Sequence, residues 1–171
     1  MKKSQLVFAI LFMFSIKATA QEKWVSKKLD EKLSVRFPSE PEKITKNGNE
    51  SFITKEKDSV TYGAGLIDMN VIAKMDSATL APMKENPIFA EKLVAGIALQ
   101  KPNYKFGAVK IGSWNSLTTY NVSGFEETTK NTIYLQIIFI ESKLYTLACR
   151  IPANLTTKKK ELFFNSATLL K

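Results

Sequence analysis

The sequence predicts an α+β fold, an antiparallel sheet of about six to eight strands with helices packed on it. Three observations predict it. The stretch from Thr132 to Pro152 reads as two apolar strands joined by a tight polar turn. The stretch after Asn86-Pro87 carries apolar residues at helical spacing. The other apolar runs are short, alternate with period two and are separated by turn residues.

The hairpin is the strongest signal. Ile133, Leu135, Ile137 and Phe139 alternate onto one face, with Tyr134, Ile138 and Ile140 on the other. A strand apolar on both faces is a central strand, covered on each side. Glu141, Ser142 and Lys143 form the turn. Tyr145, Leu147, Cys149 and Ile151 then share a face, opposite the more mixed Leu144, Thr146, Ala148 and Arg150. Pro152 brings no N–H to the ladder and ends the strand.

From the start of the chain, Trp24 to Leu29 reads as a strand, and Asp30, Glu31 and Lys32 as a turn. Leu33, Val35 and Phe37 put three apolar side chains on one face of the next strand, which stops at Pro38 to Pro41. Residues 42–50 are polar, with Asn47-Gly48 as a turn. Ser51 to Lys57 is a weak strand with charged side chains, expected at an edge. Asp58-Ser59 turns the chain into Val60 to Met69, where Tyr62, Ala64 and Leu66 share a face. Gly63 and Gly65 opposite suggest a bulge or the close approach of another element.

Asp76 or Ser77 can cap a short helix, with Pro82 near its first turns. Asn86 caps a longer one, and Pro87 suits its first position. Phe89, Leu93 and Ile97, widened by Ala90, Val94 and Ala98, form the stripe that packs on the sheet. Pro102 lies past its end. A meander follows: Tyr104 to Trp114, broken near Gly107 and Gly112; the Asn115-Ser116 turn; Leu117 to Glu126, with Tyr120 and Val122 inward; and a polar turn from Thr128 to Asn131. After Pro152 a last helix is expected, capped by Asn154 or Thr156, with Leu155, Leu162 and Phe163 toward the core. Leu169-Leu170 tucks back at the end.

Residues 1–20 read as a secretory signal peptide, followed by a single α+β domain over residues 21–171. Lys2 and Lys3 supply the positive start. Leu6 to Ile16 is too short to span a bilayer as a helix, and Ala18-Thr19-Ala20 fits the small-residue cleavage rule. The alternative is an uncleaved anchor. The whole chain carries +9. Removing Lys2, Lys3 and Lys17 leaves 22 basic against 16 acidic side chains, or +6. A basic exported protein can meet anionic head groups, acidic polysaccharide or an acidic partner. Spread along the chain as they are, the lysines also fit a solvated surface. Lys158-Lys159-Lys160 is the one tight cluster.

Most catalytic equipment is missing. The chain has no His, so His-based acid/base catalysis, Ser-His and Cys-His pairs and His metal ligands are excluded. Its single Cys, Cys149, excludes an internal disulfide and a thiolate metal site, and alternates with Leu147 and Ile151 as a buried thiol would. No phosphate-binding or dinucleotide motif is present; Gly63-Ala64-Gly65 is a lone G-x-G in a strand. The acids Glu126-Glu127 end a strand, and Asp68 and Asp76 bracket a loop without the alternating acids of a Ca²⁺ site. Trp114, Tyr104 and Tyr120 either line a groove or pack in the core, and their alternating positions favour the core. No catalytic, cofactor or metal residue is singled out, and no cofactor is expected.

The opening Trp24, the strand LSVRFPSEPEKI, the later Tyr120 strand, the hairpin IYLQIIFIESKLYTLACRIP and the closing ELFFNS resemble the PsbP/Mog1-like group. More closely, the pattern is similar to small exported bacterial proteins of that group whose role is not established. The resemblance covers nearly all of residues 24–166 and rests on structural pieces. It implies a central antiparallel sheet sandwiched by helices, and no enzyme. Named members are a photosystem accessory protein and a binder of a small GTPase, so the fold serves as an interaction module. No functional residue carries over, because no binding motif matches position by position.

Two functions follow as expectations. The first is a non-enzymatic domain, periplasmic or secreted, that binds another envelope protein and is marked by an exposed apolar or aromatic patch. The second is a carrier of an apolar or anionic small ligand in a pocket between helix and sheet. Nucleic acid is not expected as a partner, nor is a stable membrane anchor after cleavage of the leader.

Overall fold

The computed structural model describes residues 24–46 and 49–171. The expected leader and the Asn47-Gly48 turn lie outside them. In chain order the elements are β1 (Val25–Lys28), β2 (Leu33–Phe37), β3 (Glu42–Lys46), β4 (Asn49–Lys55), β5 (Thr61–Asp68), α1 (Met69–Ala73), α2 (Ser77–Leu80) and α3 (Pro87–Leu99). Then come β6 (Tyr104–Phe106), β7 (Lys110–Trp114), β8 (Leu117–Glu126), β9 (Thr132–Ile140), β10 (Lys143–Ile151), α4 (Lys159–Phe164) and β11 (Thr168–Leu169).

Eight strands form one antiparallel sheet in the order β3-β4-β5-β10-β9-β8-β6, with β7 also paired to β8. The hairpin β9–β10 is at its centre, as its two apolar faces require. Toward one face Ile133, Leu135, Ile137, Phe139, Leu144, Tyr120 and Val122 pack against Ala90 and Val94 of α3. The Tyr120 and Phe139 rings meet edge to face, 4.8 Å between centroids.

The other face carries Tyr62, Ala64, Ile138, Ile140, Tyr145, Leu147, Cys149 and Ile151. It is covered by a second sheet of three strands, β1-β2-β11, and by α4. Leu33, Val35 and Phe37 point inward from β2, and the Phe163 ring lies 5.3 Å from Phe37 and 5.2 Å from Tyr62. Each such buried side chain contributes about 1.5–3 kcal/mol relative to exposure. The sandwich is therefore helix, sheet, then small sheet with helix, where helices alone were expected on the faces.

Several expectations are corrected. Residues 42–46, expected as loop, form β3 and take the edge, so β4 is an inner strand. The exposed charges of β3 hide it from any periodicity reading while protecting the edge. Gly63 and Gly65 mark no bulge, and the close approach of a neighbour holds at Gly65 alone, where an added Cβ would stand 3.3 Å from the Ser51 Cβ of β4, against 3.8 Å or more at Gly63. β5 pairs without interruption on both sides, and the atoms nearest an added Cβ belong only to β4 and β10. The run from Tyr104 to Trp114 breaks once, after Phe106, and passes unbroken through Gly112. Pro82 follows α2 rather than lying in its first turns. The last helix begins at Lys159, where the Thr157 hydroxyl accepts from the Lys159 N–H; neither Asn154 nor Thr156 caps it. With so short a helix only one of two adjacent side chains can face inward: Phe163 is buried and Leu162 is 55% exposed.

Candidate interaction cleft

Three segments far apart in sequence meet at one end of the sandwich: the β1–β2 turn, the β5–α1 junction and the β9–β10 turn. Asp30 organises the first. Its Oδ1 accepts from the N–H groups of Lys32 (2.8 Å) and Leu33 (3.2 Å), the side-chain turn that aspartate favours. Its Oδ2 accepts from the Tyr145 hydroxyl (2.6 Å) and the Lys143 ammonium (2.8 Å), both on β10. Lys143 also donates to Glu31 at 2.9 Å, and Lys32 pairs with Glu141.

The loop expected between Asp68 and Asp76 is helix α1, and both acids are N-caps. Asp68 accepts from the Asn70 N–H at 2.9 Å, and Asp76 from the Thr79 N–H at 2.8 Å. Asp68 also accepts from the Ser142 hydroxyl at 3.0 Å, and the Met69 N–H donates to the Ser142 carbonyl at 2.9 Å. The short helix is thus fixed to the central hairpin. Lys74 closes it in the left-handed conformation, φ 56°. None of its residues is buried: Val71 is 68% and Ile72 58% exposed.

Between these segments lies a cleft of about 280 Å³. Leu29, Leu66, Val71 and Ile72 give it an apolar lining; Glu50, Asp68, Asn49 and Lys143 give it polar edges. An apolar surface with a few placed charges is the make-up of a recognition site.

Contacts across the turn shift the ionisation of Asp30, Lys143 and Tyr145. Burial pushes the Asp30 carboxyl up, but the hydrogen bonds from Lys143, Tyr145 and the Lys32 and Leu33 N–H groups outweigh it and hold it below the usual range. Hydrogen bonds to Asp30 and Glu31 hold the Lys143 ammonium above its usual range. Burial, then the Asp30 bond, raises the Tyr145 phenol. Among the described residues no cluster of three or more His, Cys, Asp or Glu could hold a metal ion.

The other residues weighed from sequence go elsewhere. Tyr120 is in the core, its hydroxyl donating to the Lys84 carbonyl at 2.7 Å. Trp114 and Tyr104 are half-buried against separate parts of the core. Glu126 accepts from Thr129 and Asn131, while Glu127 pairs with Lys105 at 2.5 Å; both acids serve the strand end. Under α3, Ala90 and Val94 pack against Tyr120, Ile137, Phe139, Val122, Ile133 and Leu135. Sequence reasoning missed Val71 and Ile72, because five helical residues are too few to show a period. It missed the Asp30–Tyr145 bond because those residues are 115 positions apart.

No protein-family model and no curated protein matches the chain. Solved structures do. Cyanobacterial PsbP (CyanoP) from Synechocystis superposes with a TM-score of 0.57 at 10% identity, over 86% of this chain and 91% of that one. The chain has a PsbP-like fold. A Bacteroides thetaiotaomicron protein matches with a TM-score of 0.51 at 14% identity, over 88% of this chain. The PsbP-like chain spans 49% of that protein's length. LpqN, involved in cell envelope biogenesis of Mycobacterium tuberculosis, gives 0.42 at 9% identity, over 87% of this chain and 91% of that one.

Proposed function

We propose that this chain is a non-enzymatic interaction domain of the bacterial cell envelope, exported by its N-terminal segment, and that it holds another envelope protein in the cleft beside α1. One observation carries the reading. Val71 and Ile72 stand exposed side by side on a helix that is capped at both ends and tied to the central hairpin. Exposed aliphatic side chains on a rigid support, next to an apolar cleft, are what a docking partner buries. The Lys143 ion pairs with Asp30 and Glu31 behind them fit a scaffold for recognition. The leader-like residues 1–20 and the PsbP-like fold support the envelope setting. A carrier holding its ligand under α3 is less well supported, because core side chains occupy that space.

The test is native mass spectrometry of the protein purified gently from the envelope of the source cell. The wild type should carry a co-purifying protein of defined mass. A Val71→Asp, Ile72→Asp variant should lose it, and an Ile88→Asp control on α3 should keep it. Retention by the double variant would refute the reading.

A further inference from the structure

The outward face of α3 lacks a cover. Glu91 and Lys92 are the only charged residues among its 13; the rest are apolar, Gly or Pro. A helix apolar on every side is ordinarily buried on every side. In α3 only Ala90 and Val94 are buried. Ile88 and Leu99, near its two ends, are 62% and 84% exposed. Ala95 and Gly96 between them are exposed as well, and a Cβ added at Gly96 would meet no atom within 4 Å.

Ile88, Lys92, Ala95 and Leu99 follow one another at steps of four, three and four, so they line one face, and all four are exposed. That spacing is the heptad seam on which two helices pack. The seam is complementary to itself. Laid antiparallel about its midpoint, Ile88 meets Leu99 of the second copy, and Lys92 meets Ala95. Ala95 is small, so the lysine stem can pass over it. Glu91 stands one turn before Ala95. The Lys92 ammonium of each copy therefore reaches the Glu91 carboxylate of the other. Among the described residues neither side chain has an ion pair within its own chain. A parallel pair would set Lys92 against Lys92 instead, which disfavours that direction.

We propose that α3 is a dimer contact, joined about a two-fold axis to α3 of a second copy of this chain. Such a contact is isologous, so it closes on two copies. It covers the exposed Ile88 and Leu99, and its two equivalent ion pairs fix the antiparallel direction. The seam contains no residue of the cleft beside α1, so Val71 and Ile72 stay free for the partner that docks there. Two helices about 20 Å long bury less than about 1,200 Å², the lower bound of a standard interface. The dimer is therefore reversible, with a Kd on the order of 0.1 mM.

The test is sedimentation equilibrium of the exported protein from about 10 µM to about 1 mM, which brackets that Kd. The mass should move from one copy toward two. Lys92→Glu sets like charges together and should weaken the dimer at least about tenfold. Adding Glu91→Lys to it exchanges the two charges and should restore the dimer; both positions are exposed, so both variants should stay folded. Mild oxidation reads the geometry. Ile88→Cys mixed with Leu99→Cys should form a disulfide between copies. Neither variant alone should, because like positions lie about 16 Å apart along the helices, beyond disulfide reach. Cys149 is buried and does not compete. A single mass at every concentration, no recovery in the charge-exchanged variant, or equal cross-linking of one cysteine variant alone would overturn the proposal.

Discussion

The Tyr145 hydroxyl donates to Asp30 Oδ2 at 2.6 Å, joining the middle of the large sheet to the turn that starts the small one. The two residues are 115 positions apart, and the bond closes the sandwich beside the cleft. Tyr145 is fully buried, so Tyr145→Phe keeps the ring packing and removes only the donor. A hydrogen bond to a charged group contributes about 1.5–3 kcal/mol, and chemical denaturation should show a loss of that order. An unchanged midpoint would mean the bond does not hold the two sheets together.

The same cluster sets a pH dependence with two limbs. The folded Asp30 carboxyl is held below its ordinary range, so its contribution is present above the unfolded value, about pH 4, and is lost as pH falls through the folded value. Lys143 is held above its ordinary range. Its contribution is complete below the unfolded value, about pH 10.4, and is lost as pH rises through the higher folded one. Asp30→Asn should lower stability near neutral pH and flatten both limbs of a stability–pH profile. A variant profile parallel to the wild type would contradict the assignment.

Cys149 lies in the core between β5 and β9, and burial pushes its thiol up to about 12. Thiolate is the reactive form. The native protein should therefore resist a thiol reagent at neutral pH, and labelling should follow the unfolding transition in denaturant. Rapid labelling of the folded protein would place Cys149 at an accessible site.

Two glycines separate tolerance from close packing. A Cβ at Gly124 would stand 3.0 Å from two Phe106 ring atoms and 3.2 Å from Ile133, so Gly124→Ala should cost about 1–3 kcal/mol by overpacking. A Cβ at Gly63 meets nothing closer than 3.8 Å, and Gly63→Ala should stabilise by up to about 1 kcal/mol by reducing unfolded-chain entropy. Thermal melts of the two variants should move in opposite directions.

These contrasts show what a sequence can and cannot reveal. Alternation made the β9–β10 hairpin and its two faces legible, and Asn86-Pro87 marked the start of α3, where Asn86 does accept from the Ile88 N–H at 2.8 Å. Local pattern decides such features. β3 was not legible because its single apolar residue, Ile44, is itself exposed, so no buried period marks the strand, which takes its order from the β4 ladder. The three-stranded sheet depends on β11, two residues that pair with Leu33 and Ser34 at the far end of the chain. The cleft was illegible for the same reason. Its apolar residues come from a turn, a strand and a five-residue helix, and its charges are placed by long-range pairing.

The central claim is that the cleft beside α1 is where a protein partner docks. A photoreactive amino acid placed at Val71 in the source cell tests it most directly, with Leu162 as control, since Leu162 is 55% exposed but lies on α4. The account predicts one discrete cross-linked species from position 71 and none from position 162. Cross-links from 162 alone, or equal yields from both positions, would contradict it.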